Sequence, residues 1–200
     1  MLAGKRVLIV GGVAGGATCA ARTRRLDEEA EIVVFDRGPY VSFANCGLPY
    51  YVGDVIRDES HLLVSSAEVF RRNFNIDVRT ENEVVAIDRH GRQVEVRDLK
   101  TGRCYCERYD ALVLAPGAKP IRPELPGIGL PGIHVLRTIP DSRRIRDWIE
   151  TRNPQRAAIV GGGLIGLEMT ENLVNRGIRV TIVEKLDQLL PPLDREMAEP

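Results

Sequence analysis

The sequence lacks an excess of either charge and has no long apolar run. Its 28 lysines and arginines are balanced by 28 aspartates and glutamates. Nucleic-acid-binding domains use a basic excess to neutralise phosphates, so we expect no nucleic-acid partner. Apolar runs such as residues 7–10 are far shorter than the roughly 20 residues that cross a bilayer. Since no signal-peptide core follows the first residues either, we expect a cytoplasmic protein without a membrane partner.

Cysteine is also scarce, with four unevenly spaced residues in a chain of 200. Such a chain is not a disulfide scaffold, so each cysteine is a core residue, a metal ligand or a reactive thiol. Cys19 lies among small apolar residues of a predicted helix, which favours a core position. Cys104 and Cys106 have no histidine or second cysteine pair nearby, so we expect no metal site. Cys46 is left as either a structural or a reactive cysteine.

Two similar patterns of strand, turn, helix and strand lie about 150 residues apart. The first occupies residues 7–36 and the second residues 157–184, and each ends in an acidic residue, Asp36 or Glu184. Each reads as the opening βαβ unit of a Rossmann-like domain, and the second stops after this one unit. The sequence therefore predicts an α/β protein with a Rossmann-like domain followed by an incomplete second one.

A region rich in proline and glycine at residues 116–140 predicts the connection between the two domains. We expect the first domain to span residues 1–117 and the second to begin at 118 and run to 200. Residues 76–88 and 93–109 alternate as β-strands do, and residues 141–151 form an amphipathic helix pattern.

The glycine-rich turns carry the nucleotide-binding prediction. The second has the strict G-x-G-x-x-G pattern at Gly161, Gly163 and Gly166, in which glycine permits a tight turn, close approach of a pyrophosphate and close helix packing. In the first turn Val13 stands where the second glycine is expected, so a turn that only packs remains an alternative. The predicted cofactor-binding residues are Gly11, Gly12, Val13, Ala14, Gly15, Gly16, Asp36, Arg37, Gly161, Gly163, Leu164, Ile165, Gly166 and Glu184.

The acidic residue of the second unit bears on the choice of nucleotide. A carboxylate at Glu184 repels the 2′-phosphate of NADPH and favours NADH. The neighbouring Lys185 acts in the opposite direction, so the choice between NADH and NADPH stays open.

Cys46 lies in the stretch SFANCGLPYY at residues 42–51, just before a predicted helix. A thiolate is favoured near a helix N-terminus, and this arrangement is typical of reactive cysteines. Together with the two nucleotide units, it resembles the FAD-dependent pyridine nucleotide-disulfide oxidoreductases. The stretches VGGVAGGATCAARTRRL at 10–26 and SFANCGLPYY resemble the coenzyme A-disulfide reductases and the NAD(P)H-dependent polysulfide and persulfide reductases. YDALVLAPGA at 109–118 is similar to a segment near the flavin, and the likeness spans essentially all of the chain.

This resemblance implies FAD at the first unit, NADH or NADPH at the second, and a single redox cysteine, Cys46. The implied substrate is a low-molecular-weight disulfide or polysulfide, such as coenzyme A disulfide, and the implied whole protein is a homodimer. The flavin would also be contacted by Ala115, Pro116 and Gly117. The implied substrate channel is lined by Thr18, Arg22, Arg25, Ser42 and Asn45. For the two arginines, a solvated helix flank balanced by the acids at 27–29 is the alternative.

Two departures from neighbouring branches of the family narrow the expected chemistry. Dithiol members carry a second cysteine five residues after the first, and this position is Tyr51 here. Members that reduce peroxide or oxygen carry a histidine at the position of Ala14. The alternatives that stay open are an NADH oxidase that reduces oxygen at the flavin and a nucleotide-binding fragment without turnover. The chain resembles the N-terminal part of these enzymes, and alone it is expected to hold FAD poorly.

Overall fold

The computed structural model describes residues 4–198, which form two compact units. The first unit contains residues 4–43 and 63–118, and the second contains residues 44–62 and 119–198. No helix within 4–198 has the length and apolar character needed to cross a membrane.

The first unit consists of a parallel sheet, an antiparallel sheet and two helices. Its elements are β1 (Arg6–Val10), α1 (Ala14–Leu26), β2 (Glu31–Asp36), α3 (Ala67–Phe74), β3 (Asp77–Thr80), β4 (Asn82–Asp88), β5 (Gln93–Asp98), β6 (Cys104–Arg108) and β7 (Ala111–Leu114). The parallel sheet has the order β3-β2-β1-β7, and the antiparallel sheet has the order β4-β5-β6. In the parallel sheet Val10 lies opposite both Phe35 and Leu114, so β1, β2 and β7 end at the same edge.

The parallel sheet is buried on both faces, as its continuous apolar strands predict. One face packs with the small residues of α1 and with Phe70 of α3, through a core that includes Val7, Ile9 and Ala20. The other face packs against Val94 and Val96 of β5. The small side chains of α1 let this helix lie close to the sheet, which places its first turn at the edge where the strands end.

The second unit is built from helices around a two-stranded parallel sheet. Its elements are α2 (Leu48–Val52), α4 (Ile139–Arg152), β8 (Arg156–Val160), α5 (Leu164–Asn175), β9 (Arg179–Val183) and α6 (Arg195–Ala198). Short 3-10 turns cover Asn45–Gly47 and Glu59–Leu62. The core is formed by Val52, Ile145, Met169, Leu173 and Ile178. Helix α4 begins at a capping box in which the Thr138 hydroxyl and the Asp141 carboxylate each bond the other's backbone N–H.

The predicted α/β class with Rossmann-like βαβ units is confirmed. The alternating region 76–88 divides into two strands of different sheets, because the chain turns at Glu81, whose φ is +56°. The division of residues 4–198 falls between 118 and 119, and residues 44–62, assigned to the first domain from the sequence, group by contacts with the second unit. The domain limits at 117 and 118 stay a prediction.

Candidate functional site

The first glycine-rich turn joins β1 to α1 at the edge where the strands end. Gly11 has a φ of +96°, and a Cβ there would lie 2.0 Å from the carbonyl oxygen of Ala115. A Cβ on Gly16 would lie 1.7 Å from the carbonyl oxygen of Gly11. The backbone of this turn therefore leaves no room for side chains at either position.

Asp36, at the end of β2, is fastened to this turn. Its Oδ2 accepts a hydrogen bond from the N–H of Gly12 at 2.7 Å, and its Oδ1 accepts one from the N–H of Gly38 at 2.7 Å. Burial raises the pKa of Asp36 above its ordinary value, although the two N–H groups and the charge of Arg37 act in the opposite direction. The carboxylate is thus held beside the turn in a fixed orientation.

The second glycine-rich turn repeats this geometry between β8 and α5. Gly161 has a φ of +105°, and a Cβ on Gly166 would lie 2.2 Å from the carbonyl oxygen of Gly161. Oε2 of Glu184 accepts a hydrogen bond from the N–H of Gly162 at 2.6 Å. This bond, with those from the N–H groups of Leu186 and Lys185, lowers the pKa of Glu184, so its side chain is ionised at neutral pH.

The two turns are also alike in a pair of residues that the sequence reasoning missed, beyond the two acidic residues. The N–H of Ser42 donates to the carbonyl of Gly12 at 2.9 Å, and the N–H of Leu190 donates to that of Gly162 at 2.9 Å. Ser42 and Leu190 both have positive φ, at +47° and +50°. Each lies six residues after its acidic residue, and this equal spacing is the signal that could have revealed them.

The residues that follow each turn test whether a dinucleotide fits. A Cβ on Gly163 would meet no atom within 4 Å, and its φ of −79° is open to any residue. The fold therefore does not require glycine at 163, whereas a pyrophosphate that approaches the backbone does. In the first turn Val13 is half-buried and carries its side chain at this point, so close approach falls to the exposed Ala14 and Gly15.

The starts of the two helices also fit a phosphate group. No side chain caps the first turn of α1 or of α5, and neither first turn contains an acidic residue. Backbone N–H groups at an uncapped helix N-terminus favour an anion. Leu164 and Ile165 are exposed at the start of α5, as a surface for a ligand requires.

The predicted flavin-contacting segment after β7 lies beside the first turn. The N–H of Ala115 donates to the carbonyl of Val10 at 2.8 Å. Pro116 and Gly117 are exposed, and Gly117 has a φ of +70°. Arg37 is also exposed, and its Nε lies 3.6 Å from Oε1 of Glu83.

Cys46 lies in the 3-10 turn Asn45–Gly47, directly before α2, and its side chain is exposed. The turn itself is packed, because a Cβ on Gly47 would lie 2.7 Å from Cδ2 of Leu62. Most of α2 is buried, namely Leu48, Pro49, Tyr51 and Val52. An accessible thiol on a packed segment can meet a substrate, and Cys46 is not part of the core of the described residues. Cys19, in contrast, packs against the core of the first unit, as predicted.

Asn45, next to the cysteine, has a buried side-chain oxygen without a partner. Its Oδ1 forms no hydrogen bond with any residue of 4–198. Buried acceptors are normally satisfied, so this one is suited to a donor that the described chain does not supply. A bound substrate or cofactor could provide that donor.

Three of the predicted substrate residues share one face of α1. Thr18, Arg22 and Arg25 are exposed and follow a helical spacing from the exposed Ala14. Within residues 4–198 neither Arg22 nor Arg25 forms an ion pair with a carboxylate, which disfavours a balanced helix flank. Arg24 has a structural role instead, since it donates to backbone carbonyls such as that of Phe74, at 2.8 Å.

The remaining predicted residues divide between the two units. Ser42 belongs to the first unit, with the α1 face, whereas Asn45 and Cys46 belong to the second. In the described part of the chain no group of three or more histidine, cysteine or acidic residues is placed to hold a metal ion.

The chain is similar to several known reductases. A family model described as pyridine nucleotide-disulphide oxidoreductase matches residues 5–200. Coenzyme A disulfide reductase from Staphylococcus haemolyticus (strain JCSC1435) is 36% identical over 193 residues, covering 96% of this chain and 43% of that protein. The chain thus spans less than half the length of this relative.

Solved structures give the same picture. Reduced CoADR-RHD from Bacillus anthracis has a TM-score of 0.95 and 49% identity, over 97% of this chain and 35% of that one. A NAD-dependent persulfide reductase from A. fulgidus has a TM-score of 0.91 and 38% identity, over 96% and 36%. A water-forming NADH oxidase from Lactobacillus brevis, bound to NADH, has a TM-score of 0.90 and 28% identity, over 97% and 43%.

Proposed function

The chain belongs to the pyridine nucleotide-disulphide oxidoreductase family, and we propose that the protein containing it reduces a low-molecular-weight disulfide or polysulfide with a nicotinamide nucleotide, through a flavin and Cys46. The observation that carries the proposal is the exposed thiol of Cys46 at the start of a helix whose other residues are mostly buried. The similarity to a coenzyme A disulfide reductase and to a persulfide reductase supports this class of substrate.

We assign FAD to the first turn and the nicotinamide nucleotide to the second. Bound at the first turn, the flavin would supply two-electron transfer between the nicotinamide and a sulfur atom. The uncapped start of α1 would hold its pyrophosphate, and the fixed carboxylate of Asp36 would accept hydrogen bonds from its ribose. Ala115, Pro116 and Gly117 follow β7 at the same edge and would border the ring system.

In the second turn Gly163 and the start of α5 would bind the pyrophosphate of the nucleotide. The ionised side chain of Glu184 would bind the ribose hydroxyls and repel a 2′-phosphate. We therefore propose NADH as the preferred nucleotide, in spite of the exposed Lys185. The homodimer implied by the resemblance and the cytoplasmic location expected from the sequence stay predictions.

The sulfur chemistry follows from a single accessible thiol. The thiolate of Cys46 attacks one sulfur of the substrate disulfide, which forms a mixed disulfide and releases one thiolate. Two-electron reduction of the mixed disulfide releases the second thiol and restores Cys46. With a polysulfide, the same attack forms a persulfide on Cys46. Tyr51 is buried at the position where dithiol members have a second cysteine, so no neighbouring thiol competes for the mixed disulfide.

This proposal is tested by anaerobic turnover of the purified protein that contains this chain. With NADH and coenzyme A disulfide, two thiols should appear for each NADH oxidised, and NADPH should give a higher KM. An absence of disulfide-dependent NADH oxidation with every disulfide and polysulfide tried would contradict the proposal.

An NADH oxidase is the second candidate, because the structural similarity to a water-forming NADH oxidase extends over 97% of this chain. The exposed methyl group of Ala14 offers no acid or base at the start of α1, which disfavours peroxide chemistry there. Consumption of one O2 for every two NADH oxidised, which is the stoichiometry of water formation, with no stimulation by a disulfide, would establish this candidate instead.

Replacing Gly163 by alanine should weaken nucleotide binding without unfolding the second unit. The new methyl group meets no protein atom within 4 Å, and alanine at the start of a helix costs about 1 kcal/mol. Because the methyl group occupies the space that a pyrophosphate needs, we expect the KM for NADH to rise about tenfold. Steady-state kinetics and thermal unfolding measure the two effects.

Gly129→Ala is the control for this change, since a Cβ there also has open space but lies in the connection before α4. It should leave both the KM and the stability unchanged. An unaltered KM for NADH in Gly163→Ala would contradict the binding of the pyrophosphate at this turn.

Replacing both Arg22 and Arg25 by alanine should discriminate between substrates. Guanidinium groups bind phosphate esters through two parallel hydrogen bonds, and these two arginines have no carboxylate partner in the described chain. The KM for coenzyme A disulfide should therefore rise by about tenfold or more, whereas that for cystine, which has no phosphate, should change by less than about twofold.

The matched variant is Arg89→Ala, which removes an exposed arginine from the turn after β4. It should change the KM for neither substrate. Equal losses with coenzyme A disulfide and cystine would mean that the α1 arginines do not recognise the phosphate groups.

A further inference from the structure

Helix α2, which follows Cys46, is too short to hold its own position. It has five residues, and isolated helices of this length are unstable in water. The carbonyl oxygens at its end are satisfied from outside the helix. Nη1 of Arg146 donates to the carbonyl of Tyr51 at 3.2 Å, and Nη1 of Arg176 donates to that of Val52 at 2.9 Å.

Arg146, on α4, makes further contacts with the loop that continues from α2. Nη1 also donates to the carbonyls of Ile56, at 3.3 Å, and Arg57, at 3.4 Å. Nη2 donates to Oδ1 of Asp54 at 2.7 Å. The guanidinium carbon lies 4.7 Å from the centre of the Tyr51 ring. One planar group thus binds residues 51, 54, 56 and 57 at once, which a lysine could not do.

One turn earlier on α4, Arg143 binds the far end of the same loop. Its Nε and Nη2 donate to the two carboxylate oxygens of Glu59, at 2.8 and 2.5 Å. Glu59 begins the 3-10 turn that ends at Leu62, and the carbonyl of Leu62 accepts the N–H of Ala44 at 2.8 Å. The chain on both sides of Cys46 is therefore connected to helix α4.

The apolar contacts of α2 leave little freedom for movement. Val52 is completely buried in the core with Ile145 and Met169. Behind it, a Cβ on Gly53 would lie 2.1 Å from Oδ1 of the buried Asn172 on α5. The position of α2 is thus set by close packing on α5 and by the polar contacts of Arg146 on α4.

We infer that Arg146 is a positioning residue for Cys46: it holds the end of α2 and residues 54–57 on helix α4, and so fixes the turn that presents the thiol. This inference rests on the proposed role of Cys46 as the sulfur that attacks the substrate. Cys46 lies five residues before Tyr51 in one continuous helical stretch, so displacement at the end of α2 is transmitted to the thiol.

The test compares Arg146→Gln with Arg152→Gln in the whole protein. Arg152 lies on the same helix, but its described contact is with the ring of Trp148, at 5.4 Å. In Arg146→Gln, kcat for disulfide reduction should fall by at least about tenfold, since small displacements of reacting groups cost factors of this size. The KM for NADH and the reduction of ferricyanide by NADH, which needs no thiol, should stay unchanged. Arg152→Gln should behave as the parent protein in all three measurements.

Hydrogen exchange provides a readout that does not depend on turnover. Amides of residues 45–57 should exchange at least about tenfold faster in Arg146→Gln, whereas those of β1 and α1 should keep their rates. If Arg146→Gln does not fold, Asp54→Asn, which removes the negative charge of one partner of the guanidinium and so weakens that contact, should produce the same changes at smaller size. A folded variant with unchanged exchange at 45–57 and unchanged disulfide kcat would overturn the inference. Faster exchange at residues 45–57 with an unchanged kcat for disulfide reduction would instead count against Cys46 as the attacking sulfur.

Discussion

Replacing Cys46 by serine should abolish disulfide reduction while leaving the reaction of NADH with the flavin intact. A serine hydroxyl stays protonated at neutral pH and cannot form a mixed disulfide, so kcat for disulfide reduction should fall by at least about a thousandfold. Reduction of ferricyanide by NADH should continue at the parent rate, because it needs both nucleotide sites but no thiol. Anaerobic stopped-flow absorbance and thiol release measure the two reactions.

Cys104→Ser and Cys106→Ser are the matched controls, because both thiols are exposed but lie on β6. Neither change should reduce disulfide turnover. Retention of full turnover by Cys46→Ser would contradict the proposed function, and loss of turnover in either control would assign the chemistry to another thiol.

The parts of the fold that the sequence predicted are those that depend on local patterns. The short apolar strands and the contacts of the terminal acids with their glycine turns lie within about 30 residues of sequence, although Gly11 also meets the distant carbonyl of Ala115. Gly11 and Gly16 are required by the backbone itself, whereas a Cβ at Gly163 would meet no protein atom, so glycine there is required only by the proposed pyrophosphate. These three positions therefore carried their signal in the sequence.

The position of residues 44–62, which contain Cys46, could not be predicted from local patterns in the sequence. Residues 44–62 group with the second unit through contacts that cross about 80 to 125 residues of sequence, which include the packing of Val52 on α5 and the contacts of Arg143 and Arg146. In the sequence both arginines look like ordinary solvated charges of an amphipathic helix. Only the folded chain brings them together with Glu59 and Asp54.

The alternating pattern of a strand also gave no indication that the chain changes from one sheet to another. Residues 76–88 have one continuous pattern, yet β3 joins the parallel sheet and β4 the antiparallel one. The break occurs at Glu81, a residue type that rarely adopts a positive φ and so gives no warning. The same holds for Leu190, whose conformation is imposed by its hydrogen bond to Gly162.

Replacing Gly16 by alanine should strongly destabilise the first unit. The new Cβ would lie 1.7 Å from the carbonyl oxygen of Gly11 and 3.2 Å from Cγ2 of Ile9. Because the nearer atom belongs to the backbone, relief requires α1 to move away from β1 and the turn to open. We expect the free energy of unfolding of the first unit to fall by more than about 3 kcal/mol, and bound flavin to be lost with it.

Gly15→Ala provides the comparison within the same helix turn, since its Cβ would lie 3.5 Å from the Cβ of Ala115, an ordinary contact. Alanine is favoured over glycine in a helix by up to about 1 kcal/mol, so this change should leave the first unit as stable or slightly more stable. Urea unfolding of the flavin-free protein, followed by circular dichroism, distinguishes the two variants. Equal midpoints for Gly16→Ala and Gly15→Ala would mean that α1 does not lie against the turn as described. A large loss of stability in Gly16→Ala alone would show that glycine is required at this position by the close contact of helix and strand. The number of glycines in the turn would then not be the requirement.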